Sequence, residues 1–126
     1  MAKASNDLFN IEEISHQDGA IKVTLSVNPD SEILKGHFPG QPVVPGACML
    51  QIAKDVLEEV LKTPLRLKKA NQLKFLTRID PANVLTVELD MSYKQQEDGG
   101  ITTAAKLSNA DTVYFKLQGG FIKFHS

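Results

Sequence analysis

One histidine, His37, stands inside Gly36-His37-Phe38-Pro39-Gly40-Gln41-Pro42-Val43-Val44-Pro45-Gly46, a stretch with three prolines and three glycines in eleven residues. Proline removes a backbone donor and fixes φ, so the stretch forms neither a helix nor a central strand. It is longer than an ordinary connection, and long rigid loops often carry function. It delivers the chain to Gly46, where a helical pattern starts. Amides left free at a helix start, together with the helix dipole, hold a carbonyl oxygen as negative charge grows on it. An imidazole beside such amides is in outline a site for proton abstraction or acyl transfer. The plainer alternative is that His37 is a loop residue bonded to backbone. Cys48, the one cysteine, falls at an apolar position near that helix start. It reads as a small buried thiol, or as a reactive one if the helix end lowers its pKa. His16 and His125 have no partner at metal-ligand spacing, and no zinc pattern or phosphate-binding glycine loop occurs, so no metal is expected.

The elements that must position these residues follow from periodicity. Ile21 to Asn28 alternates apolar and polar residues and reads as a strand with one wet face, with Ile11 to Ile14 as a short partner. From Gly46 to Lys62 the apolar residues Met49, Ile52, Ala53, Val56, Leu57 and Val60 recur at helical spacing. Gln51, Lys54, Asp55, Glu58 and Lys62 form the opposite stripe, and Thr63-Pro64 ends the helix. Its first turn, Ala47 to Leu50, is apolar all round and is expected to be buried on every side. Period two then governs the rest. Leu65 to Phe75 reads as one long strand kinked near Lys69 to Asn71, Leu85 to Tyr93 as a second and Ile101 to Leu107 as a third. Val113 opens a fourth, with a bulge or close approach at Gly119-Gly120, where the alternation shifts to Ile122 and Phe124. Glu97 to Gly100 and Asn109 to Asp111 are the turns between. One long helix with five or six strands makes a two-layer α+β fold.

Composition bounds the rest. The 126 residues suit a single domain spanning 1–126, with a frayed tail over 1–8. Apolar residues at 42 % and charged residues at 23 % mark a folded globular chain. A net charge of −1 argues against a general nucleic-acid binder. No apolar run approaches the roughly 18 residues of a membrane span. Met1 to Asn10 lacks the apolar core of a signal peptide, so a cytoplasmic protein is expected. A lone cysteine excludes an internal disulfide.

The Gly36–Gly46 stretch resembles the G-H-F-P-G-x-P-x-x-P-G signature of the β-hydroxyacyl-acyl-carrier-protein dehydratases, hotdog-fold enzymes of fatty-acid synthesis, at every fixed position. Leu73 to Asn83 resembles the family's K-F-x-x-x-V-x-P-G-D segment more loosely, and the strand order agrees over roughly Leu8 to Phe124. The resemblance implies an antiparallel sheet wrapped around one helix, and a homodimer with tunnels at its interface. Small hotdogs often assemble further as trimers of dimers. It implies His37 as the base for the C2 proton of a 3-hydroxyacyl thioester and the Gly46 amide as the donor to the thioester carbonyl. It implies contact with the acyl chain from Phe38, Pro45, Ala47, Met49 and Phe75. No metal or redox cofactor is implied, since the substrate rides on the phosphopantetheine of an acyl carrier protein or on CoA.

The family's acid, contributed by the partner subunit, falls at Gln51 here, and the usual E-x-x-x-Q has become Q-x-x-x-D with Asp55. An amide holds a hydroxyl but supplies no proton at neutral pH. Asp55 lies one turn on, about 6 Å along the axis. It is either a displaced acid or a member of the polar stripe paired with Lys54, Lys62 or solvent. Three functions remain open: a dehydratase, a hotdog thioesterase, and a non-catalytic acyl-carrier or acyl-chain binding subunit. From Lys62 to Ile79 six bases (Lys62, Arg66, Lys68, Lys69, Lys74, Arg78) stand with no acid, a strip that suits an acidic carrier protein or is simply a solvated face.

Overall fold

The computed structural model describes residues 7–35 and 43–123. Alternation in Ile21, Val23, Leu25 and Val27 puts four apolar side chains on one face, and all four are buried in strand β2 (Ala20–Val27). Strand β1 (Phe9–Gln17) pairs with it antiparallel and is longer than the expected Ile11 to Ile14. A four-residue helix, α1 (Glu32–Lys35), follows. One turn is too short to show a period in sequence. Helix α2 (Gly46–Leu61) comes next, then β3 (Leu65–Phe75), β4 (Thr86–Gln95), β5 (Ile101–Asn109) and β6 (Thr112–Lys123). Among the described residues the strands form one antiparallel sheet in the order β1-β2-β4-β5-β6-β3, so β1 and β3 are its edges. Met49, Ile52, Ala53, Val56 and Leu57 of α2 share one apolar core with the inward residues of the sheet, an α+β arrangement. Among the described residues no helix is long and apolar enough to cross a membrane.

The helix ends as its sequence dictates. Lys62 takes a left-handed conformation at φ 55° and its N–H donates to Glu58 O, just before Thr63-Pro64. The Glu58 carboxylate also accepts from the Leu65 amide at 2.7 Å, tying the helix end to the start of β3.

Three expectations need correction. The tail does not run to Leu8: that side chain is fully buried, its carbonyl accepts from Asn28 N, and the Asp7 carboxylate accepts from Ser31 Oγ. An apolar residue beside the β2–α1 turn is drawn into the core rather than left to fray. The first turn of α2 is not buried all round: Ala47 is exposed and Cys48 and Leu50 are half-buried, because one copy of the sheet covers only one side of the helix. The alternation in β6 does not shift at Gly119-Gly120. Phe115, Leu117, Gly119 and Phe121 keep one buried face. The irregularity lies in the partner, where β3 steps its register between Leu67 and Lys69 and again between Ala70 and Gln72, the kink expected there. Gly119 is a close approach: a Cβ on it would meet the Lys69 carbonyl oxygen at 2.4 Å. Phe124 lies outside the described residues.

Candidate active site

Helix α2 opens at Gly46 behind an N-cap, Pro45, in extended conformation (φ −63°, ψ 142°) and without a side-chain cap bond. Proline carries no side-chain acceptor, so the cap serves the helix start only through its carbonyl, which accepts from Cys48 N at 3.0 Å. The chain arriving there is pinned by Val44, buried, whose N–H donates to the Ile79 carbonyl at 3.1 Å. That bond ties the helix start to the segment leaving β3. Phe75, the last residue of β3, brings its ring against Gly46. A Cβ at position 46 would lie 2.8 Å from ring carbon Cε1, so only glycine leaves the ring this place. The ring also packs on Phe115 of β6, with centroids 5.5 Å apart and planes at 37°, yet stays 51 % exposed. The structure therefore brings together Gly46, Pro45 and Phe75 of the expected site. Met49 points into the core and Ala47 outward. His37 and Phe38, expected as base and acyl contact, lie outside the described residues, as does His125.

One turn further on, the Gln51 Nε2 donates to Asp55 Oδ1 at 2.8 Å. Asp55 is 9 % exposed, so it is not the solvated member of a polar stripe. The stripe lysines pair elsewhere, Lys54 with Glu58 at 3.4 Å and Lys62 with Glu59 at 2.9 Å. Burial pushes the Cys48 thiol above its ordinary pKa. That outcome goes against the reactive-thiol alternative and leaves Cys48 a half-buried packing residue. His16 is exposed and shares a 2.6 Å hydrogen bond with Tyr93 Oη. Those residues lie 77 apart in sequence, a pairing no local pattern could announce.

All six bases of the Lys62–Arg78 strip are exposed. The sheet extends them in a way the sequence did not reveal. Lys74 stands opposite Lys116, and Lys116 opposite Lys106, so three lysines lie side by side across β3, β6 and β5. Next to them, at the free edge, Leu73, Phe75 and Leu76 are 40–51 % exposed.

One long helix laid on an antiparallel six-stranded sheet is a hotdog fold. The fold is shared with solved structures of low sequence identity. The dehydratase heterocomplex ApeI:P from Xenorhabdus doucetiae superposes with a TM-score of 0.72 at 17 % identity, covering 90 % of this chain and 96 % of the other. The PaaI protein of the E. coli phenylacetic acid degradation operon gives 0.65 at 12 % identity, covering 94 % and 80 %. In sequence, residues 13–115 match the ApeI-like family, described as ApeI dehydratase. A 3-hydroxyacyl-[acyl-carrier-protein] dehydratase FabZ of Pediococcus pentosaceus is 30 % identical over an alignment of 97 positions that covers 71 % of this chain and 65 % of that protein. The chain thus matches just under two thirds of that relative's length. It belongs to the ApeI-like dehydratase family.

Proposed function

We propose that the protein removes water from a 3-hydroxyacyl thioester. One observation carries this reading: helix α2 starts at Gly46 with no side-chain acceptor from its cap, and an aromatic ring lies directly across it. The Gly46 amide donates to the thioester carbonyl and stabilises the charge that grows on it when C2 loses its proton. His37 takes that proton. The electrons of the C2–H bond form the C2–C3 double bond, the C3–O bond breaks, and the imidazolium returns the proton to the departing hydroxyl, which leaves as water. Gln51, with Asp55 beside it, holds the hydroxyl. Phe38, Pro45, Ala47, Met49 and Phe75 contact the acyl chain. The thioester itself acidifies C2, so the reaction calls for no metal or redox cofactor.

The substrate arrives on the phosphopantetheine of an acyl carrier protein or on CoA, and the exposed basic strip suits an acidic carrier. Two copies join along β3, whose exposed Leu73 and Phe75, with Leu76 just beyond them, support that edge as the seam.

Hydration of a crotonyl thioester tests the reading. Wild type is expected to consume the enoyl thioester, and His37→Ala to lose about 10²–10⁴ in rate. Release of free thiol instead marks a thioesterase. Wild type that binds the thioester without turnover marks an acyl-binding subunit, the reading that an amide at position 51 favours.

A further inference from the structure

We infer that Asp55 is a positioning residue: its carboxylate fixes the Gln51 amide so that the amide oxygen, not the nitrogen, is offered to the substrate, and the site thereby selects a 3-hydroxyacyl over a 3-oxoacyl thioester. The inference rests on the dehydratase reading and adds to it the basis of discrimination.

The two side chains sit four residues apart on one helical face and are joined by a 2.8 Å hydrogen bond. An ionised carboxylate only accepts hydrogen bonds, whereas a side-chain amide has a donating end and an accepting end. Facing Asp55, the amide must present its nitrogen. Its oxygen is then turned away from Asp55, at the helix position where the family's acid falls. Burial of the carboxylate favours the arrangement, because a hydrogen bond to a buried acceptor is costly to break. An amide free to rotate by half a turn would accept from a hydroxyl or donate to a ketone equally well. An amide locked oxygen-first accepts from the 3-hydroxyl and meets the lone pairs of a 3-oxo group with its own. A site built around a hydrogen bond to a substrate hydroxyl rejects the analogue that lacks the proton. The exchange of acid and amide relative to the family's E-x-x-x-Q pattern thus puts the amide, not the acid, at the position that meets the substrate.

The test compares the KM for 3-hydroxybutyryl-CoA with the inhibition constant of 3-oxobutyryl-CoA in the wild type, Asp55→Asn, Asp55→Leu and Gln51→Met, with thermal unfolding run on each. Wild type is expected to prefer the hydroxy ligand about ten-fold or more, the worth of one hydrogen bond. Asp55→Asn, which can still offer its carbonyl oxygen to Gln51, keeps most of that preference and lowers kcat less than about ten-fold. Asp55→Leu frees the amide and brings the preference close to one. Should Asp55→Leu fail to fold, Gln51→Met is expected to erase the preference while Asp55 remains. Equal affinity of wild type for both ligands overturns the inference and leaves the dehydratase reading standing. So does a loss of kcat by 10²–10⁴ in Asp55→Asn, the mark of a proton donor. Wild type that binds neither ligand removes both together.

Discussion

Two glycines that look alike in sequence differ in what an added methyl group would strike. At Gly46 the obstacle is the rim of the Phe75 ring, a half-exposed side chain that can swing outward. Gly46→Ala is expected to cost under about 1 kcal/mol of stability. It should nonetheless raise KM for the acyl thioester, because the displaced ring no longer faces the helix start. Adding Phe75→Ala to that variant should restore unfolding behaviour to that of Phe75→Ala alone. At Gly119 the obstacle is the Lys69 backbone carbonyl at 2.4 Å, held within the sheet and unable to rotate away. Gly119→Ala should cost about 1–3 kcal/mol or more, read from denaturant midpoints. The start of the helix at Gly46 was legible in sequence because proline spacing and the onset of the helical pattern meet there. The partner of Asp55 was not: four-residue spacing puts Gln51 within reach, but lysines at similar spacing compete, and side-chain burial decides.

At the scale of the strands, three lysines in a row oppose one another across β5, β6 and β3. Like charges directly opposite destabilise a sheet by roughly 0.2–1 kcal/mol per pair. Lys116→Glu replaces two repulsions with two attractions and should raise the unfolding midpoint in low salt, the gain shrinking as salt screens the surface. Loss of affinity for an acidic carrier in the same variant would tie the row to that partner. None of this row beyond Lys74 could be read from sequence, since cross-strand register is fixed by turns and bulges. The strands themselves and helix α2 were legible, because alternation and helical periodicity each persist over eight residues or more. The kink of β3 near Lys69 to Asn71 and the close approach at Gly119 were legible too, whereas the expected shift of alternation beyond Gly120 does not occur. Glycines at 119 and 120 betray a close approach, but it is β3, the freer edge, that gives up its register.

For the molecule as a whole, the two free edges are unlike. Strand β1 is stepped between Ile11 and Glu13, and its exposed Glu12 and Glu13 put carboxylates along it. Beyond its second step β3 runs in unbroken register with β6 from Gln72 to Phe75 and exposes leucine and phenylalanine. With a second copy expected on β3, Leu73→Lys combined with Leu76→Glu should convert a dimer to monomers, as mass by light scattering would report. Unchanged mass would place the seam elsewhere. The difference between the edges also sets a limit. Strand-to-strand growth that consumed β3 on both copies would leave only kinked, anionic borders outward, which repel one another. Association by sheet extension would then terminate after a single event, and the stepped backbone of β1 would guard the protein against polymerising into fibres.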